Sequence, residues 1–197
     1  MGQLLGYVFW HRPRSRAPPG GYERKLAAFQ ETLRSHGPDG FVDALSFRLE
    51  SRPWSRHRSK GYEDWYLVKN FGALGVLNDA AVANPSKRPH DDIARDATGS
   101  AGGVYKLLKG GLPLREARFA TWVSKPTRTA YQAFYDDMTR LVANRRTDLW
   151  RRQMVLGRSP EFCVHSESRL DLPIALRPRT LGVELVAAGR STTGAKA

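Results

Sequence analysis

The sequence predicts an α+β chain of two related halves, each with a β-α-β-β run, the sheets packed face to face as a barrel-like core and the helices outside. Three observations carry this. Residues 41–50 alternate, with Phe41, Leu45, Phe47 and Leu49 on one side and Val42, Ala44, Ser46, Arg48 and Glu50 on the other. That is the period of a half-buried strand, with Asp43 as the one misfit on the apolar side. In residues 22–36, Leu26, Phe29 and Leu33 instead fall at spacings of three and four, one helical stripe, which Gly37-Pro38 stops. The order also recurs: Trp10 shortly precedes Pro13 as Trp122 precedes Pro126, and 19 residues separate Tyr22 from Phe41 as they separate Tyr131 from Trp150. A repeat of more than about 100 residues means a duplicated domain rather than a solenoid.

The elements follow in order. Residues 4–11 are rich in aromatic and β-branched side chains and read as a strand. Prolines, glycines and arginines make 12–21 a loop before the helix at 22–36. Strand 41–50 leads through a basic loop, 51–61, to a strand at 62–71. A helix over 73–83, a break at 84–89 and a short helix to 97 precede a glycine-rich loop, 98–103, and a strand at 104–108. The second half repeats the start of this order: strand 119–124, loop 125–128, helix 130–144, and strands 149–156 and 161–166. No second helix is evident between Glu167 and Thr180, and a last strand covers 181–187. The halves are therefore residues 1–111 and 112–188, followed by a small, polar, flexible tail at 189–197.

Composition narrows the classes. The 197 residues carry 41% hydrophobic and 26% charged side chains, so the chain is globular. No uncharged apolar run approaches the ~18–20 residues of a membrane span. A lone Cys163 excludes a disulfide framework and a cysteine-based zinc site. With one cysteine and no basic, cleavable leader at the N-terminus, the expected compartment is cytoplasmic. Lys and Arg total 32 against 19 for Asp and Glu, a net +13, and 24 of the 32 are arginine. Such a surplus attracts polyanions, and arginine can clamp a phosphate or carboxylate with two hydrogen bonds. The charge is spread over both halves, so it belongs to the folded body.

The βαββαβ order, roughly repeated, resembles the ferredoxin-like fold, and two such units in one chain resemble the dimeric α+β-barrel superfamily. The resemblance rests on element order and aromatic placement. It implies a fold shared by cofactor-free monooxygenases, small-molecule isomerases and decarboxylases, and haem-binding proteins, so function is left to the site. Self-association into a homo-oligomer is compatible with it.

In a βαββαβ unit, three loops share one end of the sheet. Here they hold Arg12, Arg14 and Arg16; Arg52, Arg56, Arg58 and Lys60; and Gly102 and Gly103. Arginines beside a glycine-rich turn form an anion cradle. Alternation also gathers a polar sheet face, with Arg48, Glu50, Asp64 and Tyr66 in the first half and Arg151, Gln153, Cys163, His165 and Glu167 in the second. In a two-sheet barrel this face is expected to line the interior, where ionisable groups perturb one another. His165 is the predicted proton carrier, with Glu50 and Tyr66 as partners and Arg48 or Arg151 holding an anionic substrate group.

Three function classes follow. The first is a small-molecule enzyme or binding protein of the dimeric α+β-barrel type for an anionic ligand held by arginine. The second is an RNA- or DNA-binding module using the basic end. Lys60-Gly61-Tyr62 begins like the third strand of an RNA-recognition motif, but Glu63-Asp64 follow where a small residue and an aromatic belong. The third is a structural or regulatory protein without catalysis. The five histidines show no metal-ligand spacing, so no cofactor is predicted; haem, which a single histidine can ligate, is a minor alternative.

Overall fold

The computed structural model describes residues 4–14, 19–50, 61–143, 145–156 and 160–188. Eight strands close into one antiparallel barrel with four α-helices outside. They are β1 (Leu5–Pro13), β2 (Phe41–Leu49), β3 (Gly61–Val68), β4 (Ala97–Lys109), β5 (Phe119–Val123), β6 (Thr147–Leu156), β7 (Phe162–Ser166) and β8 (Arg179–Ala188). The helices are α1 (Pro19–Ser35), α2 (Phe71–Ala81), α3 (Lys87–Asp96) and α4 (Tyr131–Leu141). Around the barrel the order is β4-β1-β3-β2 and then β8-β5-β7-β6, so the first and second four strands are arranged alike. The two runs join through the β2–β8 and β4–β6 ladders, and closure leaves no free sheet edge. A short 3-10 turn at Ile174–Leu176 stands where the second half lacks its second crossover helix.

The barrel interior is aromatic. Trp10, Trp65, Trp122 and Trp150 are fully buried there with Tyr105, Phe47, Leu45 and Leu49. Trp65 and Trp150 meet at 4.9 Å between ring centroids, and Trp10 meets Trp122 edge-on at 5.5 Å. Such pairs add about 0.5–1.5 kcal/mol each beyond the area they bury. The Trp65 ring lies over Gly6, where a Cβ would stand 2.7 Å from it, so β1 can pass only as glycine. Outside the barrel, α1 lays Tyr22, Leu26, Phe29 and Leu33 on the sheet, together with Ala73 and Leu77 of α2 and Ile93 of α3. Helix α4 packs Phe134 and Met138 on the outer face of the second half. Asn70 starts α2 by accepting the Ala73 N–H at 2.9 Å. No helix among the described residues is long and apolar enough to cross a membrane.

Three expectations are corrected. The glycine-rich stretch 98–103 belongs to strand β4, hydrogen-bonded to β1 and, from Gly102 onward, to β6 as well. Its N–H groups are therefore not a free anion cradle, and Gly102 and Gly103 serve close packing. A Cβ at Gly103 would stand 3.0 Å from the Tyr105 ring and 3.2 Å from the Met154 carbonyl oxygen. Second, the faces of β2 and β3 are reversed. Leu45, Phe47, Leu49, Trp65 and Leu67 point into the barrel, and Ser46, Arg48, Asp64 and Tyr66 lie under the helices or at their rim. The largest apolar volume fills the enclosed space, which has no other atoms to fill it. Third, Arg151 does not share a face with His165. Asp148 stands opposite His165 in the ladder and Trp150 opposite Cys163, which turns Arg151 outward to the Tyr135 hydroxyl at 2.7 Å.

Candidate functional site

The outer face of β1 and β3 presents Tyr7, Phe9 and His11 beside Tyr62, Asp64 and Tyr66. Helices α1, α2 and α3 stand over this face without filling the space beneath. A cavity of about 550 Å³ remains, walled by Tyr7, Phe9, His11, Asp64 and Tyr66 of this face together with Tyr22 and Phe29 of α1, Leu77 of α2 and His90 of α3. A volume of this size suits a small organic molecule.

Four of the polar wall residues form one chain of hydrogen bonds. His11 Nε2 lies 3.0 Å from Asp64 Oδ2, and His11 Nδ1 lies 2.5 Å from the Tyr22 hydroxyl. The Tyr66 hydroxyl donates to the same Asp64 Oδ2 at 3.2 Å. A carboxylate can only accept, so Nε2 carries the imidazole proton and Nδ1 accepts from Tyr22. His11 is 1% and Asp64 3% exposed, so these bonds act in a weakly screened setting. Burial first, and then the Asp64 charge, hold the Tyr22 and Tyr66 hydroxyls protonated far above the ordinary tyrosine range. Burial alone raises Tyr7. Asp64 Oδ1, also buried, accepts from none of the described residues.

The raised phenols predict alkaline behaviour. Tyr62, buried and donating to Glu23 Oε1 at 2.9 Å, is pushed up to about 12. A phenol whose folded pKa is raised contributes stability in full below its ordinary value of 10.0, and loses it as pH rises toward about 12. Phenolate absorbance should therefore lag free tyrosine between these values, and the unfolding midpoint in urea should fall over the same window. Phenolate appearing near pH 10 with the fold intact would contradict the enclosure of these hydroxyls.

Of the residues singled out in the sequence, Asp64 and Tyr66 take part in this chain, and the partner of Tyr66 is Asp64 rather than His165. His165 is fully buried inside the barrel, against the Phe47 ring and the edge of Trp65, with Nε2 3.8 Å from Glu63 Oε1. It is not among the residues lining the cavity. Glu50 is exposed over Gly182, outside the barrel. Arg48 is held by Glu23 at 2.7 Å and Glu184 at 2.9 Å. Arg12 and Arg14 are exposed where β1 ends, with the Arg14 N–H donating to the Asp96 carbonyl at 2.7 Å. Gly102 faces the cavity side, 3.4 Å from the Tyr7 hydroxyl as measured from a built Cβ. Arg16, Arg52, Arg56, Arg58 and Lys60 lie outside the described residues, as does the tail from 189.

His11 was hidden in the sequence because its partners are distant: Tyr22 is 11 positions away and Asp64 is 53. The usable signal was alternation, which sets His11 in line with Tyr7 and Phe9, and Asp64 in line with Tyr62 and Tyr66.

Among the described residues, His11 and His165 do not fit as ligands of a haem. Both ring nitrogens of His11 are engaged, and His165 is enclosed by aromatic rings. His90 lines the cavity, with Nδ1 3.1 Å from Asp91 Oδ1. Among the described residues no lysine or arginine lines the cavity to pair with propionates. Among the described residues no group of His, Cys, Asp and Glu could hold a metal ion.

No protein-family model matches the chain, and no curated protein matches it. Solved structures do. A candidate monooxygenase of Fusobacterium nucleatum aligns over 95% of this chain and 94% of its own, at 12% identity and a TM-score of 0.60. A candidate monooxygenase of Lactobacillus acidophilus aligns over 94% and 95%, at 10% identity and a TM-score of 0.58. An anthrone oxidase-like protein aligns over 98% and 95%, at 10% identity and a TM-score of 0.51. At such identities the likeness establishes architecture, and with the strand order above it shows that this chain has the dimeric α+β-barrel fold.

Proposed function

We propose that the chain is a small-molecule enzyme whose substrate occupies the cavity beneath α1–α3, and that Tyr22, His11 and Asp64 move a proton at that substrate. One observation carries this reading: at a cavity wall, a buried imidazole is held between a tyrosine hydroxyl and a carboxylate. A substrate proton passes to the Tyr22 oxygen as the Tyr22 proton passes to His11 Nδ1, and Asp64 stabilises the imidazolium that forms. Tyr22 stays neutral throughout, in keeping with its raised pKa. Proton removal leaves an electron pair on the substrate. The monooxygenase names of two similar structures favour dioxygen as the reagent that this electron pair meets.

The other readings find less support. Among the described residues no arginine or lysine lines the cavity, so none of them would hold an anion there. Strand β3 has one face in the barrel and the other under helices, which leaves no platform on which bases could stack. We also propose that the chain divides functionally at residues 111 and 112, with the Tyr22–His11–Asp64 chain in the first half and Met154 of the second half contributing to the cavity wall.

Proton transfer can be tested before the substrate is known. The neutral carbon acid 2-tetralone, incubated with the protein in D2O, should exchange its acidic C–H protons faster than with equimolar free imidazole, as read by proton NMR. Exchange no faster than the imidazole control would remove the reading.

A further inference from the structure

Among the described residues Asp64 is the only carboxylate lining the cavity, and one of its oxygens accepts from none of them. Oδ2 accepts from both His11 and Tyr66, whereas Oδ1, equally buried, accepts from none of the described residues. A buried carboxylate oxygen without a donor costs free energy, so such an atom in a folded protein calls for a partner. The described residues of the wall offer no lysine or arginine to supply one. It does offer ring faces: Tyr7 and Tyr66 stack at 6.1 Å between centroids, and Phe9 stacks on the His11 ring at 5.6 Å. A fixed negative charge and aromatic surfaces, with no lysine or arginine among the described lining residues, together select a positively charged donor. The carboxylate gives a charge-assisted hydrogen bond, and the rings attract the cation by their quadrupoles.

We propose that the ligand of this cavity is an organic amine in its cationic form, with the ammonium donating to Asp64 Oδ1 and an apolar body lying along Tyr7, Phe9 and Tyr66. This rests on the cavity being the ligand site of the proposed enzyme, and it names the substrate class. It also reverses the expectation from net charge. The chain carries a net +13, whereas the described residues of the lining contribute one aspartate and no lysine or arginine.

The test compares three ligands with one body and different heads: 4-phenylbutylamine, 4-phenylbutanol and 4-phenylbutyrate, titrated calorimetrically into the full chain at neutral pH. The amine should bind roughly tenfold or more tighter than the alcohol, and the carboxylate should bind weakest. Asp64→Asn should remove the amine's advantage while leaving the alcohol within about twofold. In the unaltered protein the amine should shift the amide resonances of residues 62–66, a readout that stands even if Asp64→Asn fails to fold. The proposal is overturned by an alcohol that binds as well as the amine, by a carboxylate that binds best, or by no binding of the amine. It is equally overturned by shifts confined to β5–β8, or by an amine preference that survives in a folded Asp64→Asn protein. Ketone exchange separates the two readings. Exchange without amine preference sinks the amine alone, and amine preference without exchange sinks proton transfer alone.

Discussion

Replacing Glu63 by glutamine should cost about 2–3 kcal/mol of stability, although the side chain changes by one atom. Glu63 is fully buried inside the barrel. Its Oε2 accepts the Trp10 indole N–H at 2.6 Å and its Oε1 accepts that of Trp65 at 2.6 Å. These bonds hold two large rings of the interior in place, and each is shortened and strengthened by the charge. Glutamine has one carbonyl oxygen to offer. Its amide turns two hydrogens toward the second indole N–H, which leaves a buried donor facing a donor. Glu63→Leu should cost more, because both indoles lose their acceptor in a closed space. A domain of this kind has about 5–15 kcal/mol in all, so the loss is readily measured. Urea unfolding should show a lower midpoint at an unchanged slope. A Glu63→Gln protein within about 0.5 kcal/mol of the original would mean that one oxygen already carries a proton and that the two indoles are not both accepted.

That Glu63 was overlooked shows where reading the sequence runs out. Alternation located most strands to within a few residues, since side-chain period is a local property. Residues 41–50 and 62–71 are β2 and β3 with small end shifts, and the missing helix after Glu167 is a single 3-10 turn. Alternation divides a strand into two faces, but it does not say which face is enclosed. In β2 and β3 both faces are covered, one by the barrel and one by α1–α3, so the polar set could be assigned to either. Volume decided it: four indoles fill the interior, and the chain places its tyrosines, His11 and Asp64 beneath the helices. The glycines at 99, 102 and 103 read as a loop because glycine weakens strands on average. Here β4 is pinned by β1 and β6, and close approach outweighs that weakness. The candidate site needed tertiary information for the same reason. Its members come from β1, α1 and β3, and no local spacing joins them.

Two histidines, each buried and each near a carboxylate, should separate stability from chemistry. His11→Gln keeps an amide N–H for Asp64 and an amide oxygen for the Tyr22 hydroxyl, so its geometry can survive. It cannot take up a proton at neutral pH. Ketone exchange should therefore fall by about 10²-fold or more, while stability stays within about 1 kcal/mol. His165→Phe places a ring of similar size against Phe47 and Trp65, where the imidazole already stacks at 6.2 Å and meets an edge at 4.9 Å. It removes the imidazole that lies 3.8 Å from Glu63. Its cost should be about 1–2 kcal/mol of stability, with exchange within about twofold of the original. The imidazole of His11 borders the cavity and that of His165 does not, so only the first has a route to a substrate atom. Loss of exchange in His165→Phe with retention in His11→Gln would move the chemistry into the barrel and overturn the assignment of the site to the outer face of β1 and β3.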